Sequence, residues 1–134
     1  MGQLMMATTE TNTVKTPIAY DELAARCLER IDFIERVLHS FSDRFVEDLE
    51  QLERYVETED VQAIARLAHR MKGACGNTAA QELHEQVSRI ERLAREDRFA
   101  EILPSIAGIH LAWTNFCQAM TNLNMQFPAV SSKG

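Results

Sequence analysis

Basic residues are in short supply: Lys and Arg number 14 against 20 Asp and Glu, a formal net charge of −6. No broad cationic surface is left to neutralise phosphates along a nucleic acid, which excludes nucleic acid as the main partner. Cysteine is sparse too. Cys27, Cys75 and Cys117 are odd in number and scattered, with no Cys-x-x-Cys and no paired spacing. Neither a disulfide framework nor a zinc site is expected, and a reducing cytoplasm fits best. The opening residues, MGQLMMATTETNTVKT, lack both the basic start and the continuous apolar core of a signal peptide. No later run approaches the roughly 18 apolar residues of a membrane span, so a soluble cytoplasmic protein with no membrane partner is expected. Period-two alternation, Gly-rich strand turns and a Gly-rich nucleotide loop are all missing, which argues against sheets and against an autonomous kinase.

What is present is apolar periodicity. The 134 residues are 46% hydrophobic, enough for one domain with a real core. Residues 1–16 read as a disordered N-terminal tail, 17–125 as the folded domain, and 126–134 as a flexible C-terminal tail. Thr16 and Pro17 form a helix-start signal, a capping hydroxyl followed by a residue whose missing N–H does no harm, for a short helix through about Leu28. Ile34, Leu38, Phe41, Phe45, Leu49, Leu52 and Val56 then recur at three- and four-residue steps and predict one long helix over 31–57. Thr58 is the cap candidate for a helix over 59–77, and Ala80, Leu83, Val87, Ile90 and Ala94 mark the next. Ile102, Ile106, Ile109, Trp113, Phe116, Met120 and Leu123 mark the last, with a kink or fresh start expected at Pro104. The expected fold is all-α: an antiparallel up-down-up-down four-helix bundle with a short additional N-terminal helix.

One stretch breaks the helical rule. LAHRMKGACGN, residues 67–77, places Gly73 and Gly76 inside an amphipathic helix, where each costs about 1 kcal/mol relative to alanine. Advancing 100° per residue, Ile64, Leu67, Met71, Ala74 and Cys75 fall opposite His69 and form the expected core side. Within about 60° of His69 lie Gln62, Ala65, Arg66, Lys72, Gly73 and Gly76, all polar, basic or small. The imidazole is therefore expected to point outward. Gly73, one turn along the same face, leaves the ring open and lets another protein's backbone come close; Gly76 continues the cleared strip. Lys72 can swing toward a phosphoryl group on the ring. Arg66 and Arg70 add to a local excess of three basic over two acidic side chains in 58–78, a positive spot on an acidic chain.

LAHRMKGACGNTAAQELHEQVSRIE resembles the signature of histidine-containing phosphotransfer domains, which runs roughly A-H-x-L-K-G-x-x-x-N-x-G-x-x-x-L with a later L-E. Ala68, His69, Lys72, Gly73, Asn77, Leu83 and the pair Ile90 and Glu91 fall in register, and Asp60 and Ile64 match the approach to the motif. One position departs: Ala79, preceded by Thr78, stands where the family has its second glycine. The resemblance implies that Nε2 of His69 is the phosphoacceptor, exchanging a phosphoryl group with the aspartyl phosphate of a receiver domain. It implies that Lys72 stabilises that group and that Gly73 gives clearance. Gln62, Arg66, Arg70 and Gly76 would contact the partner, a receiver domain of a response regulator or hybrid histidine kinase. No cofactor is expected on this domain; Mg2+ is expected on the receiver.

Two other readings compete. A di-iron carboxylate bundle needs Glu three residues before each ligand histidine, but Arg36, Arg66, Gln81 and Ala107 precede His39, His69, His84 and His110. A non-catalytic adaptor bundle is the alternative, and the joint presence of His69, Lys72 and Gly73 weighs against it. Met71 and Cys75 read as core filler, while Phe33 and Val37, to one side of the long helix's stripe, read either as an apolar docking patch or as packing under the leading helix.

Overall fold

The computed structural model describes residues 16–126. Among them are five α-helices and no strand: α1 (Tyr20–Arg26), α2 (Ile31–Glu57), α3 (Val61–Asn77), α4 (Gln81–Arg95) and α5 (Ile102–Gln126), with a 3-10 turn at Phe99–Glu101 ahead of α5. Of the expected tails 1–16 and 126–134, residues 1–15 and 127–134 lie outside the described residues, while Gln126 is the last residue of α5.

Apolar spacing determines which faces meet. Ile34, Leu38, Phe41, Phe45, Leu49, Leu52 and Val56 of α2 are all buried, as are Leu83, Val87, Ile90 and Ala94 of α4 and Ile102, Ile106, Ile109 and Phe116 of α5. In sequence order α2 packs on α3, α3 on α4, α4 on α5, and α5 returns to α2. Trp113 of α5 stacks on Phe45 of α2 with ring centroids 4.9 Å apart, and Phe116 lies edge-on to Phe41 at 5.2 Å. These aromatic contacts close the ring of helices through large buried faces.

Two helix starts differ from the sequence expectation. Thr16 and Pro17 do not open α1, which begins at Tyr20 after Ala19. Thr16 is drawn away to the start of α4, where its carbonyl accepts from Glu82 N–H (3.0 Å) and its N–H donates to Gln81 Oε1 (3.4 Å). Thr58 caps the end of α2, donating its hydroxyl to the carbonyls of Arg54 and Tyr55; Asp60 is the N-cap of α3, accepting from Ala63 N–H at 3.2 Å. Pro104 falls in the first turn of α5, where a missing N–H breaks no helical bond, so the expected fresh start holds and Ile102 opens the helix.

The helix ends share a device. After α1, α2, α3 and α4 the chain turns through Leu28, Glu59, Ala79 and Asp97, each with φ between 55° and 60°. At each, paired backbone bonds close the end, as where Ala80 N–H donates to Cys75 O (3.0 Å) and Ala79 N–H to Gly76 O (3.2 Å). None of the four is glycine, although left-handed φ costs an L-residue about 1–2 kcal/mol. Ala79, the departure from the family pattern, thus adopts the conformation a glycine would. Glu59→Gly, at an exposed position, should stabilise the protein by about 0.5–1 kcal/mol, read as a higher Tm. An unchanged or lower Tm would show that the Glu59 side chain contributes more than the strain costs.

Candidate functional site

His69 stands on α3 with two-thirds of its side chain exposed (66%), and its Nδ1 lies 3.0 Å from Oε2 of Glu91 on α4. Glu91 is buried, a carboxylate set into the apolar face of its helix beside Ile90 and Ala94. Burial pushes its pKa up, but hydrogen bonds from Lys72, Arg95 and His69 outweigh that and bring it down to about 2. Lys72 Nζ donates to Oε1 at 2.9 Å and Arg95 Nε to Oε2 at 2.9 Å. An ionised carboxylate only accepts, so Nδ1 of His69 carries the proton in this contact. In the neutral ring the lone pair is then on Nε2, the nitrogen facing away from Glu91.

Not every residue grouped with His69 by helical periodicity shares its exposure. Gln62, Arg66 and Gly73 are exposed alongside it. Ala65 is buried, a correction to its expected outward placement. Lys72 is half-buried with its ammonium held by Glu91. Gly76 is half-buried too: a Cβ there would meet His84 of α4 at 3.7 Å, and its carbonyl accepts from Arg26 Nη1 of α1 at 2.6 Å. The physical reason is that α4 covers one flank of α3, the flank that carries Ala65, Lys72 and Gly76. The open flank is that of Gln62, Arg66 and Gly73. A Cβ on Gly73 would find no atom within 4 Å, so no neighbouring helix requires glycine there.

Arg70 turns the other way, donating to Asp48 of α2 at 2.7 Å, with Arg44 Nε 3.7 Å from the same oxygen. The local positive excess is thus largely neutralised by two buried acids from neighbouring helices, Glu91 and Asp48. Ala74, expected in the core, is half-buried and lines a groove of about 440 Å³ between α2 and α3, with Phe33, Val37, Phe41 and Met71 and with Arg36 and Arg44 on its rim. Cys75, fully buried, has its thiol pushed up to about 12, first by burial and then by Asp48. In the folded protein Cys75 should resist alkylation at pH 8, reacting at least about 100-fold more slowly than in denaturant by mass spectrometry. Equal rates would contradict this burial.

Among the described residues no group of three or more His, Cys, Asp and Glu side chains is placed to hold a metal ion, and no helix is long and apolar enough to cross a membrane. The residue that sequence reasoning left without a role is Glu91. The sequence marks it twice, as the match to the family's later L-E pair and as a charge one residue after Ile90 on a stripe where Val87 and Ala94 are buried.

Comparison with curated proteins and with solved structures returns no match. The family model for the Hpt domain matches residues 36–123, a span that begins within α2, ends within α5 and contains His69, Lys72, Gly73 and Glu91. The chain belongs to the Hpt domain family.

Proposed function

We propose that the chain is a phosphoryl carrier of a two-component phosphorelay, with Nε2 of His69 as the acceptor. Membership of the Hpt family implies phosphotransfer in two-component signalling; the reading of donor, atom and roles is our own. The observation that carries it is the exposed imidazole whose Nδ1–H is held by buried, ionised Glu91, leaving Nε2 as the free lone pair.

In the transfer the Nε2–P bond forms as the aspartyl O–P bond of a receiver breaks, and the carboxylate of that aspartate leaves with the electron pair. Positive charge develops on the ring as Nε2 is used, and Glu91, across Nδ1, stabilises it. A Mg2+ ion held by the receiver would supply charge neutralisation at the phosphoryl oxygens, and Lys72, whose ammonium Glu91 holds at 2.9 Å, is the cation of this chain that stabilises the group on Nε2. Onward transfer to a second receiver is the reverse of the same step. The groove holding Phe33 and Val37 next to α3 supports receiver docking between α2 and α3, with Gly73 admitting the approaching backbone and Gln62, Arg66 and Arg70 at the contact. Three-residue connections at 58–60 and 78–80 support the finer topology, an antiparallel up-down-up-down bundle preceded by α1. A cytoplasmic site of action belongs to the same reading; among the described residues no helix is long and apolar enough to cross a membrane.

Incubation with a phosphorylated receiver and Mg2+ tests the reading. One phosphoryl group should appear, acid-labile and base-stable as a P–N bond is, and mass spectrometry should map it to His69. Label on another residue, or no label from any receiver of the same genome, would overturn it.

A further inference from the structure

The surface of α5 is unlike the rest of the molecule. Between Glu101 and Lys133 the sequence has no Asp, Glu, Lys or Arg, in a chain of net charge −6. Along α5 the residues that look outward include Leu103, Ala107, Leu111 and Thr114, and Leu103 and Leu111 are each 64% exposed. They lie three and four residues apart, on one face of the helix, and no described element packs over them.

We infer that this face pairs with the same face of a second copy of the chain. The pattern is self-complementary. A two-fold axis through Ala107 relates each position n residues before it to the position n residues after it, so an antiparallel pair of α5 helices sets Leu103 against the partner's Leu111, twice, with the two Ala107 residues at the crossing. Ala107, exposed between the two leucines, is small enough for close helix approach. The charge distribution points to the same partner. Two acidic chains repel over most of their surfaces, whereas along α5 they meet with no like charges juxtaposed; its histidine, His110, is engaged by Glu53 of α2 at 2.6 Å. Because α3 packs on α2 and α4, and α5 on α4 and α2, α3 and α5 sit across the ring of helices from each other. The dimer leaves both His69 side chains open, and each copy exchanges phosphoryl groups independently.

Sedimentation equilibrium on the whole chain tests this. A small interface is weak, so a monomer–dimer equilibrium is expected between roughly 10 μM and 1 mM. Leu111→Glu, at an exposed position, should keep the wild-type Tm and weaken dimerisation by at least about tenfold, since the charge enters an apolar contact at two symmetry-related places. Combining Leu103→Glu with Leu111→Lys on one chain sets opposite charges face to face and should restore association over Leu111→Glu alone. In a Cys117→Ser background, where Cys27 and Cys75 are buried, Ala107→Cys should oxidise to a disulfide dimer faster than the same thiol at Glu50. A monomer at every concentration, a dimer indifferent to Leu111→Glu, failure of the charge pair to restore it, or equal cross-linking at positions 107 and 50 would each overturn the proposal.

Discussion

His69→Gln should abolish phosphoryl acceptance, and Glu91→Gln should slow it by about 10- to 100-fold with the acceptor still in place. Glutamine can still accept a hydrogen bond from Nδ1, but it carries no negative charge to balance the ring as the Nε2–P bond forms. Glu91→Ala removes the acceptor as well and should be slower again. A readout independent of rate separates this from loss of fold: 15N chemical shifts of the neutral ring should report the proton on Nδ1 in the wild type and a shift toward the Nε2–H form in Glu91→Ala. Transfer at the wild-type rate in Glu91→Gln would remove the charge-balancing role.

The same substitution has a signature in stability. Glu91 accepts from three donors that are themselves partly exposed, so losing its charge should cost about 1–3 kcal/mol at neutral pH, less than breaking a fully buried pair. Its pKa is lower folded than unfolded, so its contribution is fully present above the ordinary carboxylate value of 4.5 and is lost as pH falls toward about 2. The gap in unfolding free energy between wild type and Glu91→Gln should therefore be widest above pH 5 and close toward pH 2. A gap that is constant with pH would show that shape, not charge, makes the difference.

Much of this was legible from local pattern, and the exceptions have a common cause. His69 opposite Ile64, Leu67 and Met71 is a property of one helix, and so is the continuous stripe of α2; periodicity reads both directly. Glu91 as the partner of His69, Lys72 and Arg95 depends on the register of α4 against α3, twenty-two residues from the histidine, which no single-helix projection contains. Ala65 and Gly76 were placed outward for the same reason, because a projection does not say which flank a neighbour covers. At Thr16 a sound local capping signal gave way to tertiary hydrogen bonds with the first turn of α4. The left-handed turn at Ala79 shows the opposite balance: the family pattern asks for glycine, and paired hydrogen bonds hold alanine in that conformation without it.

Gly73 should separate stability from function. Its Cβ position is open, with no atom within 4 Å, so Gly73→Ala adds a methyl group to empty space and removes the mid-helix penalty of glycine. A gain of about 1 kcal/mol is expected, with transfer near the wild-type rate, because one methyl group one turn from the ring leaves room for an approaching backbone. Gly73→Leu should fold equally well, since the same space points into solvent, yet it places an isobutyl group where a receiver must bring its aspartyl phosphate to Nε2. Displacing that approach by about 1 Å is enough to cost on the order of 100-fold in transfer, so the leucine variant should lose at least that much. The two variants therefore move stability up or leave it level while transfer divides between them. A large drop in Tm for Gly73→Ala would mean the backbone itself requires glycine, and a stable Gly73→Leu that accepts phosphoryl at the original rate would mean receivers reach His69 from another side.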